Sequence, residues 1–164
     1  MKAKDLMIPL HEYLTPETEM SEAVRLLQTA WRGEDRAGVK ELPVLDNNGK
    51  LIGMFSMHDV LQSVCPVYLS NMHLGHFTWD GMVEDLARKA GAKQVREFMT
   101  REVVTVPENE PLMGCIDLML KQRVKRVPVL DAAGKVIGML YERDIFFAIA
   151  KAMLDPACRI GGTP

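Results

Sequence analysis

The sequence predicts a mixed α/β (α+β) protein in which two β-α-β-β-α repeats pack about a pseudo-twofold axis. The first observation is an internal repeat: residues 43–59, PVLDNNGKLIGMFSMHD, and residues 128–144, PVLDAAGKVIGMLYERD, agree at 10 of 17 positions. The second is the hydrophobic pattern, which changes between strand spacing and helix spacing in the same order in both copies. One such repeat leaves a sheet face uncovered, so we expect the second copy to cover it.

Composition excludes several classes of protein. The 164 residues are 48% hydrophobic and 26% charged with a net charge of -2, which suits a folded core better than a disordered chain. The sequence shows no run of about 20 apolar residues to span a membrane, no apolar signal-peptide core and no basic excess typical of nucleic-acid binding. We therefore expect a cytoplasmic protein with neither a membrane nor a nucleic-acid partner. Three cysteines without a CxxC pair do not indicate a disulfide framework.

The repeat sets the predicted domain organisation. The two copies are 85 residues apart, from Pro43 to Pro128. The sequence predicts a first repeat at 1–64, a connector at 65–93, a second repeat at 94–154 and a flexible tail at 155–164. Upstream of the repeated string, residues 16–19 align with residues 107–110 at an offset of 91. The later part of the connector has the spacing of an amphipathic helix, formed by Met82, Val83, Leu86, Ala87 and Ala90.

The second copy illustrates the elements of one repeat. A β-branched run at 103–106 predicts the first strand, and Pro111 suits the first position of the helix that follows. Residues 127–130 and 135–140 predict a hairpin, with a glycine in the turn where a positive φ is needed. A helix closes each copy, at 142–154 here and at 57–63 in the first. The apolar face of the first helix comprises Leu112, Cys115, Ile116, Met119 and Leu120.

The repeated string resembles a known family. The pattern hydrophobic-Pro-Val-Leu-Asp-x-x-Gly-Lys-hydrophobic-Ile-Gly-Met-x-x-x-x-Asp occurs twice, and Met99-Thr100 precedes the second copy. It is similar to the CBS domain (cystathionine beta-synthase domain), and two in tandem resemble a Bateman module over residues 4–64 and 94–153. The resemblance implies a stand-alone, non-enzymatic regulatory module without a resident cofactor. It also implies that clefts between the repeats bind an adenosine-containing ligand, namely AMP, ADP, ATP or S-adenosylmethionine.

The resemblance further implies which residues bind that ligand. In the family, Thr/Ser-x-x-Asp at the start of the last helix places the Asp on the ribose hydroxyls; residues 56–59 match fully, whereas residues 141–144 keep only the Asp. Residues 13–15 and 103–105 correspond to the adenine slot, and residues 40–41 and 125–126 to basic positions near phosphate. The candidate ligand-binding residues are Thr15, Lys40, Ser56, His58, Asp59, Val103, Thr105, Lys125, Arg126, Tyr141 and Asp144.

Several candidates also have a purely structural interpretation. Ser56 and Asp59 have the spacing of a capping box, which stabilises a helix without any ligand. Tyr141 is a poor N-cap, so capping explains Asp144 less well, although an acid in a first turn also suits the helix dipole. The cations of residues 121–126 suit a solvated helix C-terminus. Glu41 should repel phosphate, so the two copies are expected to differ as sites.

Two further patterns are weak. The loop containing His73 and His76, with Cys65 and His11 as further donors, lacks the regular spacing of a four-ligand metal site. Ser56, His58 and Asp59 are residue types of a hydrolytic triad, but neighbouring helix positions point in different directions. We therefore expect neither a metal site nor catalysis.

Apolar residues on the last helix predict self-association. The pattern leaves Ile145, Phe146, Ile149 and Met153 in need of cover, which favours a homodimer. The alternative function is accordingly a structural dimerisation or interaction module with no physiological ligand.

Overall fold

The computed structural model describes residues 1–31, 38–65 and 78–155. The helices are α1 (Ala3–Leu6), α2 (Met20–Thr29), α3 (Met57–Val64), α4 (Met82–Gly91), α5 (Leu112–Gln122) and α6 (Glu142–Leu154), with a 3-10 turn at Val95–Glu97. The strands are β1 (Ile8–Pro9), β2 (Glu41–Leu45), β3 (Leu51–Ser56), β4 (Val106–Pro107), β5 (Arg126–Leu130) and β6 (Val136–Tyr141). The chain divides into two compact units. The first unit comprises residues 11–103, and the second comprises residues 1–10 together with the chain from residue 104 onward.

A β-hairpin forms the centre of the first unit. Strands β2 and β3 pair antiparallel, with Glu41 opposite Ser56. The turn between them is closed by Asp46, whose Oδ1 accepts hydrogen bonds from the backbone N–H groups of Asn48 (2.8 Å) and Lys50 (2.9 Å). Gly49 follows with φ 78°, a left-handed conformation that glycine adopts without steric cost. The predicted hairpin and its turn are confirmed.

The second unit repeats this hairpin in a four-stranded sheet of order β1-β6-β5-β4. Strands β5 and β6 pair antiparallel, while β4 runs parallel to β5. The turn glycine, Gly134, has φ 79°. Apolar side chains from β4, α5, β5 and β6 form the core, including Val106, Cys115 and Leu140.

Each unit takes a short leading segment from the chain that precedes the other copy. In the second unit the Ala3 N–H donates to the Glu110 carbonyl (2.9 Å), and in the first unit the Val95 N–H donates to the Thr18 carbonyl (2.9 Å). These two bonds occupy equivalent positions in the repeat. The two donors, Ala3 and Val95, are 92 residues apart, and so are the two acceptors, Thr18 and Glu110. The sequence predicts three strands per repeat, and the leading segment adds a fourth, β1, to the sheet of the second unit.

The register of the upstream segments differs from the prediction. Leu14 bridges Val44 in the first unit, and Val106 pairs with Val129 in the second. Leu14 therefore corresponds to Val106, at an offset of 92. The predicted offset of 91 is wrong, and so is the predicted equivalence of Thr15 and Thr105. The register is set by the backbone hydrogen bonds between strands, which the Pro-Glu sequence shared by the two segments does not determine.

Three details of the predicted helices and strands also change. The first strand of the second copy is only Val106–Pro107, and Pro111 is the N-cap of α5, with Leu112 its first helical residue. Leu120 is 73% exposed and does not belong to the apolar face that covers the core. Ile145 is buried, so it packs inside the second unit and needs no external cover.

The connector and the tail are described only in part. Helix α4 confirms the predicted amphipathic helix, although Val83 is exposed and Ala90 is its buried residue. The loop of His73 and His76 and the tail beyond Asp155 lie outside the described residues. Within the described residues, no helix is both long enough and apolar enough to cross a membrane.

Candidate functional site

The same three chain segments meet at the start of the last helix in each unit. In the first unit the Met57 N–H, at the start of α3, donates to the Lys40 carbonyl at 3.0 Å. In the second unit the Glu142 N–H, at the start of α6, donates to the Lys125 carbonyl at 2.8 Å. Strand pairing adds the third segment, because Ser56 lies opposite Glu41, just as Tyr141 lies opposite Arg126. The structure thus brings together Lys40, Ser56 and Asp59 in one unit, and Lys125, Arg126, Tyr141 and Asp144 in the other.

In the first unit, Asp59 is engaged by its own helix. Its Oδ2 accepts hydrogen bonds from the Ser56 backbone N–H (2.7 Å) and from the Ser56 hydroxyl (3.0 Å). The Ser56 Oγ in turn accepts from the Asp59 N–H at 3.4 Å. This is the capping box that the spacing predicts, and it leaves Asp59 only 4% exposed. The carboxylate oxygen closest to the cap is therefore already satisfied by the protein.

In the second unit, Asp144 has no such arrangement. The α6 N-cap, Tyr141, provides no side-chain capping bond. Among the described residues, Asp144 Oδ2 is the buried side-chain oxygen that has no hydrogen-bond partner. A buried acceptor without a donor is costly and calls for a specific explanation. The arrangement leaves one carboxylate oxygen able to accept a donor from a bound molecule.

The basic residues differ between the two units. Lys125 is exposed and Arg126 is half-buried at the start of β5, whereas the same positions in the first unit hold Lys40 and Glu41. Lys121 forms an exposed ion pair with Asp117 at 2.6 Å, one turn apart on α5. Lys121 therefore belongs to the solvated helix surface, as the structural interpretation predicts, whereas Lys125 lies beyond the helix and next to the α6 N-terminus.

Thr15 lies away from the start of the last helix of its unit. Thr15 follows the Leu14 bridge to Val44, beside the end of β2 that is remote from Ser56, and its Oγ1 lies 2.9 Å from the Thr18 hydroxyl. Val103 and Thr105 precede β4, and both are half-buried outside any strand. The register shift gives Thr105 the position that Tyr13 has in the first unit.

The second residue after each N-cap is exposed in both units but differs in type. His58 is exposed in the first turn of α3, and Arg143 holds the same position in α6. The Arg143 guanidinium lies 5.4 Å from the centre of the Phe147 ring, a cation–π contact.

The histidine, cysteine and acidic side chains are the remaining groups that could support metal or thiol chemistry. No group of three histidine, cysteine or acidic side chains in the described ranges is arranged to hold a metal ion. Burial, helped by the nearby Glu110 carboxylate, raises the pKa of the Cys115 thiol. Cys115 is therefore a neutral core side chain, whereas Cys65 is exposed.

Arg123 belongs to no recognised motif, yet its backbone conformation is unusual. Arg123 is the C-cap of α5 with φ 54° and ψ 38°, and among the described residues it is the non-glycine with a positive φ. The repeat contains the signal that identifies it, because the equivalent residue of the first copy is Gly38, with φ 76°. The two residues differ in their relation to the preceding helix, because the C-cap of α2 is Ala30 and Gly38 follows eight residues later.

Known proteins resemble this chain over most of its length. The model of the CBS domain family matches residues 3–65 and 95–151. A curated relative, the chloroplastic CBS domain-containing protein CBSX2 of Arabidopsis thaliana, is 31% identical over 146 residues, which cover 83% of this chain and 58% of that protein. Inosine-5'-monophosphate dehydrogenase of Methanocaldococcus jannaschii is 26% identical over 144 residues, and the chain spans only 23% of its length.

Solved structures agree with this assignment. The crystal structure of CBSX2 in complex with AMP has a TM-score of 0.66 and 27% identity, covering 93% of this chain and 98% of that one. The CBS domain pair of protein MJ0100, solved with 5-methylthioadenosine and S-adenosyl-L-methionine, has a TM-score of 0.61 and 24% identity, and shares the fold. Because the family model matches both repeats and the folds agree, the chain belongs to the CBS domain family, as a tandem pair.

Proposed function

We propose that this chain is a non-enzymatic regulatory module that binds an adenosine-containing ligand: AMP, ADP, ATP or S-adenosylmethionine. The observation that carries the proposal is the buried Asp144 Oδ2, which has no hydrogen-bond partner among the described residues. A ribose diol supplies hydroxyl donors for such an oxygen, and the α6 N-terminus beside it favours a negative group. The AMP complex of the related CBSX2 supports this ligand class.

Binding has a regulatory consequence only if it favours one arrangement of the protein over another. A ligand shifts such an equilibrium by its difference in affinity for the two arrangements. Asp144 lies on α6, which also exposes apolar residues such as Phe146, so a ligand at the start of this helix would act on an element that also carries a candidate interface. We also propose a cytoplasmic location, supported by the absence of a disulfide framework in the sequence.

The first test is calorimetry on the full chain, purified without nucleotide. AMP, ADP, ATP and S-adenosylmethionine are titrated separately, and we expect at least one to bind with a measurable enthalpy and to raise the Tm. Absence of binding by all four contradicts the proposal. The Asp144→Asn variant, which keeps the side-chain volume, is the matched control, because it removes the carboxylate without removing the fold.

A homodimerisation module is the second candidate, and the last helices favour it. Leu61 on α3 and Phe146 on α6 hold equivalent positions in the two copies, and both are exposed. The next turn of each helix is apolar as well, with Val64 and Ile149 at equivalent positions. A surface that recurs in both repeats suits a second copy of the same chain. Light scattering after gel filtration measures the mass, and a monomer at micromolar concentration contradicts the dimer.

A further inference from the structure

The last helices of the two units differ in length and in the apolar surface that they expose. Helix α3 has 8 residues and α6 has 13, so α3 is about 12 Å long and α6 about 20 Å. The exposed large apolar side chains of α3 are Met57 and Leu61. Those of α6 extend to its last turn, and they are Phe146, Phe147, Ile149, Met153 and Leu154. The larger uncovered apolar surface therefore belongs to the second unit.

Part of the helical surface of the first unit is covered within the chain. Helix α4, from the connector between the two copies, packs against both α2 and α3. In contrast, Met153 and Leu154 at the end of α6 are 73% and 74% exposed. An exposed apolar surface of this kind marks an interaction site, so α6 is the helix that most needs a partner.

The exposed face of α6 is suited to pairing with a copy of itself. Residues 143, 146, 150 and 153 are three or four positions apart, so they lie along one face of the helix. Ala150 is the small residue in the middle of this face, between Phe146 and Met153. Two antiparallel α6 helices related by a twofold axis would place Phe146 of each copy against Ala150 of the other, a large side chain against a small one.

Arg143 favours the antiparallel direction. It is exposed on the same face, with its guanidinium 5.4 Å from the centre of the Phe147 ring. It lies in the first turn of α6, where the positive end of the helix dipole disfavours a cation. An antiparallel partner would bring the opposite end of its own α6 to Arg143, with the carbonyl groups of the last turn and the Asp155 carboxylate. A parallel partner would instead place two Arg143 cations side by side.

We propose that two copies of this chain associate through an antiparallel pair of α6 helices, with second unit against second unit. The inference rests on the homodimer named above as the second candidate function. The competing arrangement pairs α3 of one copy with α6 of the other. Helix α3 is too short to cover an α6 helix to its end, and it would leave Met153 and Leu154 exposed. A second α6 matches the length of the first and completes the charge pairing of Arg143.

Cysteine crosslinking tests this arrangement. In a full chain with Cys65 and Cys158 replaced by serine, a short bifunctional maleimide should link the Glu142→Cys/Met153→Cys double variant into a covalent dimer. Either single variant should give little covalent dimer, because position 142 of one copy meets position 153 of the other. Within one helix the two positions are about 17 Å apart, too far for a short reagent to join.

Glu142→Cys/Lys135→Cys is the matched control for the number of thiols. Lys135 is exposed in the same unit but lies at the turn end of the hairpin, away from α6. This variant should give no more covalent dimer than Glu142→Cys alone. Equal crosslinking of the control and of the Glu142→Cys/Met153→Cys variant would show that the links come from random collisions, and it would overturn the inference.

A charge reversal tests the direction of the pair. Arg143→Glu should raise the dimer dissociation constant about tenfold or more, because a charge-assisted contact is replaced by a repulsion. The Tm of the monomer should not fall, since an acid in the first turn suits the helix dipole. Lys135→Glu makes the same change of charge elsewhere in the unit and should alter the constant less than about twofold. Sedimentation equilibrium measures both constants, and equal effects would overturn the antiparallel pairing.

The outcomes separate this inference from the proposed functions. Efficient crosslinking of either single variant indicates a parallel pair, and a link between cysteines at positions 61 and 153 indicates α3 against α6. Both results overturn the inference and leave the homodimer standing. A monomeric wild-type chain overturns the inference and the homodimer together. Nucleotide binding is measured independently by the calorimetry described above.

Discussion

Gly138 on β6 lies against the backbone of Ile8 on β1, so closely that a Cβ atom on the glycine would stand 2.6 Å from the Ile8 carbonyl oxygen. The same contact recurs in the first unit, where a Cβ atom on Gly53 would stand 2.9 Å from the Thr100 carbonyl oxygen. Real Cβ atoms do not approach a carbonyl this closely. Both glycines are therefore required by the close approach of the leading segment that each unit takes from the chain preceding the other copy.

The first prediction is that Gly138→Ala destabilises the fold by about 1–3 kcal/mol, the cost of forcing an extra methyl group into a packed interior. The added methyl group meets backbone atoms of the leading segment. Because backbone atoms cannot rotate aside as a flexible side chain does, the whole leading segment must move. Chemical denaturation measures the free energy of unfolding. Gly91→Ala is the matched control, since its Cβ would meet only the Ser21 Cβ at 3.8 Å, an ordinary contact. Equal effects of the two substitutions would contradict the close-approach explanation.

The second prediction concerns the two aspartates at equivalent positions. Asp144→Asn should abolish or strongly weaken binding of adenosine-containing ligands with little loss of stability, because Asp144 Oδ2 makes no hydrogen bond that the fold needs. Calorimetry and thermal unfolding measure the two effects on the same sample. Unchanged ligand affinity in this variant would show that the carboxylate is not a ligand-binding group.

The third prediction concerns the N-cap of the last helix in the first copy, where we expect a loss of stability without a loss of ligand affinity. Ser56→Ala should destabilise the protein by about 1 kcal/mol, the usual cost of losing an N-cap, because the Ser56 hydroxyl both donates to and accepts from Asp59. If the proposed function is correct, ligand affinity should remain close to that of the wild type, because the buried acceptor without a partner, Asp144 Oδ2, is in the second unit. A loss of affinity without a loss of stability would assign Ser56 to a binding site instead of a cap.

The hairpins were predictable from the sequence because their signals are local. The short apolar runs of β2 and β3 and the Asp-x-x-Gly turn between them lie within about fifteen residues of each other, and every part of the pattern favours the same structure. The leading segments were not predictable, since β1 has two residues and its partner β6 lies about 130 residues further along the chain. No pattern among neighbouring residues of the sequence predicts a pairing of strands this far apart.

The candidate site was predictable to a similar degree. The contrast between Ser56 and Tyr141 as N-caps correctly indicates which aspartate the fold uses for capping. The burial of Asp144 Oδ2 depends on packing around α6, so the spacing of motifs in the sequence cannot predict it. Arg123 was visible only after alignment with Gly38, because a positive φ is a property of the turn and not of the basic run that contains the arginine.

The fourth prediction is that Phe146→Glu lowers the mass of the protein in solution to that of the monomer. Phe146 is 61% exposed on α6, so a carboxylate there costs the isolated fold little but is unfavourable in an apolar contact between two copies. Met113→Glu is the matched control, because Met113 is 72% exposed on α5, which is not the last helix of either repeat. Light scattering on both variants checks the prediction, and a mass unchanged from the wild type in Phe146→Glu would exclude this face as the dimer interface.

The fifth prediction is a pH dependence of stability that comes from Cys115. Burial raises the pKa of this thiol above its ordinary value, so the folded state favours the neutral form. Below the unfolded pKa, about 8.5, both states hold the proton and the contribution is fully present. As the pH rises from there towards the folded pKa, the unfolded state loses its proton first, and stability falls. Cys115→Ala should have a shallower loss of stability between pH 8 and pH 10 than the wild type, measured by denaturant unfolding at each pH. Cys65→Ala is the control, because Cys65 is exposed; parallel curves for the wild type and Cys115→Ala would contradict the assignment.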